Sequence, residues 1–266
     1  MASRTFADTS IPSPYPRYRS AIDRTIEFDE DFRAPELDPA RWVAHYLPHW
    51  TTPDRSAARY ELRRGLLTLR IDADQPAWLP EDGAMRVSNL QTGAREGQHR
   101  HREGLAVRTP YPERRLFLPA AGRVEAEMRA SADPTCMAAF WLVGFEAESP
   151  QDSGEICVCE LYGRSRSTVR TGVKAHHDPR LRDEMEDVEL DVDTAAWHTY
   201  AAEWDGAAVA VLVDGTVVKT VRQRIAYPLQ LMVDLFEFPG DGPRDPAAYP
   251  KVAEVRAVRG YGGAHG

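Results

Sequence analysis

The stretch Gly154-Glu155-Ile156-Cys157-Val158-Cys159-Glu160-Leu161-Tyr162-Gly163 decides where the chemistry of this chain lies. Small and β-branched residues between a glycine and a Tyr-Gly stop predict one β-strand. In a regular strand Glu155, Cys157 and Cys159 would share one face and Glu160 would point the other way. One bulge between the glutamates would return both carboxylates to one face. Two converging carboxylates are the minimum apparatus for glycoside hydrolysis, whereas the plainer interpretation is a pair of solvated charges on a sheet edge.

The rest of the chain also favours strands. Two hairpins are predicted, one over 58–71 with Arg64-Gly65 at its turn and one over 209–218 with an Asp214-Gly215 turn. No amphipathic helix of normal length and no internal repeat is present. About a dozen short strands therefore predict one large antiparallel sandwich. The remaining strands are expected at 25–32, 87–92, 122–130, 137–142, 167–177, 197–204, 228–236 and 252–258.

Composition limits the partners. The 266 residues are 42% hydrophobic and carry a formal net charge of −8. A diffuse acidic balance argues against nucleic acid and against an anionic membrane as a partner. The acidic run 183–193 is expected to be a solvated loop rather than a metal site. The polar segment 93–115, which contains His99 and His101, is expected to be an active-site rim loop, with a two-histidine metal site as the alternative.

Three cysteines, Cys136, Cys157 and Cys159, do not form a disulfide framework. Residues 1–20 are rich in proline and serine and are expected to be extended or disordered, with one β-sandwich domain over 21–266. The N-terminus has no apolar core of signal-peptide type, and no run approaches membrane-spanning length. The sequence as it stands indicates a cytoplasmic protein, or a secreted one if it has been trimmed.

Several of these stretches resemble glycoside hydrolase family sixteen, the laminarinases and lichenases. Gly154–Glu160 resembles the bulged form of its signature, Glu-x-Asp-x-x-Glu, with Cys157 at the position of the Asp. Residues 137–142 resemble Trp-Pro-Ala-Phe-Trp-Leu-Leu, with Met137 for the first Trp, and 197–204 resemble Phe-His-Thr-Tyr-x-x-Glu-Trp. The resemblance covers about 25–261. It implies an all-β, concanavalin A-like β-sandwich jelly roll of two curved antiparallel sheets, with a cleft on the concave face.

The resemblance also implies the catalytic roles. Glu155 would be the nucleophile, and Glu160 the general acid and then the base, with retention of anomeric configuration. Cys157 would place a neutral thiol where the family's Asp adjusts the nucleophile, so weaker or altered hydrolysis is expected. The alternatives are that Cys157 simply fills the site or is itself a nucleophile.

A flat aromatic side chain suits the apolar face of a sugar ring. If Phe140 and Leu142 face the core, Trp141 is expected in the cleft; the alternative is that Trp141 is a plain core residue. Either His176 or His177 is expected to overhang the cleft. The predicted substrate-binding residues are Trp141, Met137, His176, Tyr162, Asn89 and Phe236.

No cofactor and no catalytic metal are predicted. Some relatives bind a structural Ca²⁺ on the convex sheet, for which Glu254 is the one candidate. Three functions stay open: a retaining hydrolase of β-glucan or a related glycan, the same fold used on another intracellular substrate in specialised metabolism, and carbohydrate binding without turnover. The missing signal peptide, Cys157 and Met137 favour the second. The partner is a carbohydrate or another small molecule, with the oligomeric state open.

Overall fold

The described part of the chain contains sixteen β-strands. The computed structural model describes residues 25–238 and 244–262. The strands are β1 Ile26–Glu30, β2 Arg59–Leu62, β3 Leu67–Ile71, β4 Arg86–Gln91, β5 Gly93–Ala94, β6 Arg114–Arg115, β7 Gly122–Arg129, β8 Cys136–Gly144, β9 Glu155–Tyr162, β10 Thr168–Lys174, β11 Glu184–Glu189, β12 His198–Trp204, β13 Val209–Val213, β14 Thr216–Val221, β15 Leu229–Glu237 and β16 Lys251–Gly262.

These strands form two large antiparallel sheets. The larger has the order β14-β13-β12-β7-β16-β3-β2, with β1 also paired to β16. The smaller has the order β11-β10-β9-β8-β15-β4, and β5 pairs separately with β6. The predicted all-β sandwich of jelly-roll type is confirmed. Helices in the described ranges are short: α1 Pro53–Ser56 and the 3₁₀ turns Pro48–Trp50, Pro80–Asp82 and Pro246–Ala248.

Period-two alternation places the core between the sheets. In β7, Val124, Ala126 and Met128 are buried while the residues between them are partly exposed. In β8, Phe140 and Leu142 belong to this main core. On the opposite face of β8, Met137, Ala139 and Trp141 belong to a second buried cluster. The smaller sheet is therefore covered on both faces, which explains why almost every residue of β8, β9 and β15 is buried.

Both hairpin turns occur where the sequence predicts them. Arg64 and Gly65 have φ of 55° and 75°, and Asp214 and Gly215 have φ of 49° and 76°. Two successive residues with positive φ define the turn that matches the twist of a two-residue hairpin.

The acidic run 183–193 was expected to be a loop, and this expectation is wrong. Glu184–Glu189 forms β11, which pairs with β10 at the edge of the smaller sheet. Charged side chains are common on edge strands because they discourage pairing with another chain. The predicted disordered segment 1–20 lies outside the described residues. No helix within those residues is long and apolar enough to cross a membrane.

A bulge interrupts β9. Phe140 pairs with Cys159 and Trp141 pairs with Cys157, so Val158 is an extra residue opposite β8. On the other side, Arg170 pairs with Glu160 and Gly172 with Cys157. Gly172 has φ of +142°, and a Cβ there would lie 2.1 Å from the carbonyl oxygen of Glu184. Because β11 comes this close to β10, position 172 requires a glycine.

We expect Gly172→Ala to lower the free energy of unfolding by about 1–3 kcal/mol, because it adds a steric clash to an unfavourable φ. Gly215→Ala is the matched control, since Gly215 has φ of +76° but no atom within 4 Å of an added Cβ. Urea unfolding of both variants measures the difference. Equal losses would show that the β11 backbone yields to the added methyl group.

Candidate active site

A cleft of about 240 Å³ lies on the face of the smaller sheet that is turned away from the main core. It brings together six of the predicted site residues: Met137, Trp141, Glu155, Glu160, His176 and Phe236. It also contains residues that sequence reasoning missed, above all Lys174 and His99. The lining residues are Tyr46, Met85, His99, Met137, Ala139, Trp141, Glu155, Glu160, Lys174, His176, Phe236 and Phe238.

The bulge determines which side chains of β9 reach the cleft. Ile156, Val158, Cys159 and Leu161 belong to the main core. Glu155, Cys157 and Glu160 face the other way, and one ligand atom of each lies within 4.8 Å of the others. A regular strand would have sent Glu160 to the opposite face from Glu155. The predicted convergence of the two carboxylates is therefore the observed geometry.

Lys174 joins the two carboxylates. Its Nζ lies 2.9 Å from Glu155 Oε1 and 2.7 Å from Glu160 Oε1. Lys174 ends β10 directly opposite Glu155, and Arg170 pairs with Glu160. The sequence signal was the alternation Arg170-x-Gly172-x-Lys174, which shares one face, but its pairing with β9 is not readable from sequence alone.

The charges of the site favour an ionised Glu155. Burial alone would raise its pKa, but the hydrogen bond with His176 (Nε2 to Oε2, 2.8 Å) and the charge of Lys174 lower the pKa to about 2. Burial opposes the charged form of Lys174, yet the carboxylates of Glu155 and Glu160 raise its pKa above the usual value. The resting site therefore holds an ionised Glu155 against an ammonium group.

Cys157 lies fully buried beneath this ion pair. Burial, together with the charges of Glu160 and Glu155, raises the pKa of its thiol well above the usual value. Its Sγ makes only a long contact with the carbonyl oxygen of Arg170, at 3.7 Å. A neutral, buried thiol is a poor nucleophile, so the geometry favours Cys157 as a residue that fills the place of the Asp.

Trp141 is held by a buried carboxyl group. Its Nε1 donates to Asp234 Oδ2, and Asn89 Nδ2 donates to Asp234 Oδ1 at 2.6 Å. Burial raises the pKa of Asp234 to about 8, although both hydrogen bonds oppose the rise. Asn89 was predicted to contact substrate, but it is fully buried and does not line the cleft. Its side chain supports Asp234 beneath the cleft floor because β4 turns it toward β15.

Tyr162 lies beside the cleft rather than in its lining. Its hydroxyl donates to Glu160 Oε2 at 3.2 Å, and the guanidinium of Arg164 lies 4.2 Å from its ring centroid. Tyr162 thus orients the carboxyl group of Glu160 and borders a neighbouring cavity. That cavity has about 280 Å³ and is lined by Tyr162, Arg164, Ser165, Thr168, Arg170 and Asp187.

Two histidines form one wall of the cleft. The rings of His99 and His176 lie 4.7 Å apart, and His99 lies 5.6 Å from Trp141. The backbone N–H of His99 donates to Glu146 Oε1 at 2.8 Å. His177 points elsewhere, to the carbonyl oxygen of Arg100. The segment 93–115 therefore contributes to the cleft through His99, as a rim loop does.

The metal candidates can be compared with these contacts. Glu155, Cys157 and Glu160 form a donor set of the kind that could hold a cation. The ammonium of Lys174 already supplies a positive charge at this place. Glu254, the candidate for structural Ca²⁺, is ion-paired with Arg129 instead. A guanidinium at the carboxylate disfavours a calcium ion there, because Ca²⁺ needs six to eight oxygen ligands.

A β-sandwich that carries two converging carboxylates among aromatic side chains has the architecture of a glycosidase. Residues 117–243 match the family model described as Glycosyl hydrolases family 16. This match covers just under half of the chain and agrees with the resemblance in its sequence. A search of curated proteins gave no match to this sequence.

Solved structures show the same fold. A GlcNAcα1-4Gal-releasing endo-β-galactosidase from Clostridium perfringens has a TM-score of 0.82 and 23% identity, over 94% of this chain and 66% of that chain. The chain thus spans slightly less than two thirds of that protein. The laminarinase from Rhodothermus marinus has a TM-score of 0.67 and 17% identity, over 92% of this chain and 100% of that chain. The laminarinase from Flavobacterium sp. UMI-01 has a TM-score of 0.64 and 18% identity, over 89% and 100%.

The raised pKa of Asp234 makes stability depend on pH. Because the folded pKa of about 8 exceeds the unfolded value, Asp234 contributes stability that is complete below the unfolded pKa and is lost as pH rises toward 8. We expect wild type to lose about 1–3 kcal/mol more than Asp234→Asn between roughly pH 5 and pH 8. Urea unfolding at several pH values measures this loss. The control is Asp191→Asn, an exposed residue after β11; a wild-type slope equal to that of Asp234→Asn would contradict the assignment.

Proposed function

We propose that this protein is a retaining glycoside hydrolase of β-linked glycans, with Glu155 as nucleophile and Glu160 as general acid and base. The observation that carries this proposal is the bulge in β9, which turns both carboxylates into one cleft. The facing carboxylate oxygens lie within 4.8 Å of each other. Retaining enzymes need carboxyl groups about 5–5.5 Å apart, whereas inverting enzymes leave room for a water molecule at about 6.5–9.5 Å.

The environments of the two carboxyl groups support this assignment of roles. A nucleophile must be ionised, and the pKa of Glu155 is held at about 2. In the first step, Glu155 attacks the anomeric carbon while Glu160 donates a proton to the leaving glycosidic oxygen. In the second step, Glu160 accepts a proton from water, which attacks the glycosyl-enzyme and frees Glu155. Tyr162 fixes the carboxyl group of Glu160 for both transfers.

The cleft offers aromatic surface to a sugar chain. Trp141, Phe236, Phe238 and Tyr46 line it around the carboxylates. Aromatic faces bind the apolar faces of sugar rings. β-Glucan and β-galactan are the two candidate substrates, and the higher TM-score to the endo-β-galactosidase than to the laminarinases favours a β-galactoside.

Removal of the nucleophile tests the proposal. We expect Glu155→Gln to lower the rate of reducing-sugar release from whichever of laminarin, lichenan, agarose or carrageenan wild type cleaves, by at least about a thousandfold. The control is Glu254→Gln, whose parent residue is ion-paired with Arg129 away from the cleft. Retention of anomeric configuration should be visible by proton NMR of the first products. Activity that survives in Glu155→Gln, or inversion, would exclude the proposed roles.

Carbohydrate binding without turnover is the second candidate, and two observations favour it. The ammonium of Lys174 pairs with both carboxylates, and Cys157 removes the negative charge that the family's Asp would add. Neither feature supplies the carboxylic acid form of Glu160 that the first step of hydrolysis needs.

Restoring the Asp separates these two functions. Cys157→Asp adds a negative charge beside Glu160, so we expect the descending limb of the pH profile of kcat/KM to move up by about half a unit to one unit. Cys157→Ser is the neutral control and should leave that limb in place. Turnover by wild type supports the hydrolase. Turnover only in Cys157→Asp, together with calorimetric binding of the same glycan by wild type, would support binding without cleavage.

A further inference from the structure

Lys174 is the least expected group in the cleft. Its ammonium contacts two carboxylates that are nearly fully buried, while 29% of its own side chain is exposed. It is therefore within reach of a bound ligand. Since the proposed hydrolysis runs through Glu160, the inference below rests on that proposed function.

The contact between Lys174 and Glu160 conflicts with the acid step. An ion pair at 2.7 Å involves the carboxylate form of Glu160, whereas the acid step needs the carboxylic acid form. The ammonium must therefore leave Glu160 when substrate binds. Glu155 stays beside the ammonium at 2.9 Å, but this carboxylate loses its charge when it bonds to the anomeric carbon. A further anionic acceptor is then needed, because an unpaired charge in such a site is strongly unfavourable.

Further cations flank the same side of Glu160. The guanidinium of Arg170 lies 3.5 Å from Glu160 Oε2 and is shared with Asp187 at 3.0 Å. Arg164 stacks on Tyr162 at the border of the neighbouring cavity of about 280 Å³. Arg170 and Lys174 lie on the same face of β10, with Lys174 in the lining of the cleft and Arg170 in the lining of the neighbouring cavity.

We propose that the substrate is an anionic glycan, and that a sulfate or carboxylate group near the scissile bond takes the ammonium of Lys174 away from Glu160. The anion supplies the acceptor that Lys174 loses, and Glu160 is then free to hold the proton for the leaving oxygen. Arg164 and Arg170 extend the recognition of negative charge into the neighbouring cavity. A neutral hydroxyl group is a weaker partner for an ammonium than a carboxylate is, so neutral glycans should be poor substrates.

The test compares matched pairs of polymers: laminarin with chemically sulfated laminarin, and agarose with carrageenan. We expect wild type to cleave the anionic member with a kcat/KM at least about tenfold higher. In Lys174→Met the ratio of kcat/KM for the anionic polymer to that for the neutral one should fall to about one or below. The anion has then lost its cationic partner, and Glu160 is no longer ion-paired with Lys174. Lys219→Met is the matched control, since Lys219 pairs with Glu184 and Glu186 on β11 and does not line the cleft.

The outcomes keep this inference apart from the proposed hydrolysis. A wild type that prefers the neutral member, or a preference that Lys174→Met leaves unchanged, overturns the role of Lys174 while hydrolysis stands. If no polymer is cleaved, calorimetric binding of the same pairs decides: tighter binding of the anionic member that is lost in Lys174→Met supports the inference although hydrolysis fails. Equal binding of both members, or equal loss in Lys219→Met, overturns it.

Discussion

The extra residue in β9 is the constraint on which the site depends. Without Val158, β9 would be a regular strand with its two glutamates on opposite faces. One of the glutamates would then point into the main core. A buried, unpaired carboxylate in that core would be strongly destabilising. Beside the bulge, Gly172 pairs with Cys157 and lets β10 come close to the backbone of β11. The bulge thus involves β9, β10 and β11. It places two carboxylates together on the cleft face of the smaller sheet.

The electrostatics of that centre follow from how few charges it contains. The ammonium of Lys174 lies within hydrogen-bonding distance of both carboxylates, and the thiol of Cys157 is neutral. A third carboxylate at position 157 would give Lys174 a choice of three partners. With Cys157, the ammonium is divided between Glu155 and Glu160 alone. Cys157 and Lys174 therefore determine the state of the two glutamates together, and neither can be interpreted without the other.

Much of the fold and part of the site could be predicted from the sequence. Alternation in β7 and β8, and the Arg64-Gly65 and Asp214-Gly215 turns, depend on local patterns that tertiary contacts did not override. The bulge was predictable because two glutamates five positions apart cannot share a face in a regular strand. Other features depend on contacts between distant strands. Lys174 joins the site through its pairing with Glu155, and that register is set by the bulge itself.

Errors arose where local pattern does not determine the face of a strand. Almost every residue of β4 is buried, so alternation could not show that Asn89 points toward Asp234 under the cleft floor. The acidic run 183–193 has the composition of a loop, yet an edge strand tolerates the same composition because one side of it faces solvent. His99 came from a segment without periodicity, and only its contacts place it against His176 and Trp141.

Backbone strain at the cleft wall explains how these distant parts are held in place. His99, Glu146 and His176 all have positive φ, at 51°, 56° and 49°, although none is a glycine. Such conformations cost about 1–3 kcal/mol each and persist only where the surroundings fix them. Here the N–H of His99 is bound by the carboxylate of Glu146, and the ring of His176 is bound by Glu155. The strained residues thus hold each other around Glu155, so contacts within the chain itself fix the geometry of this part of the cleft.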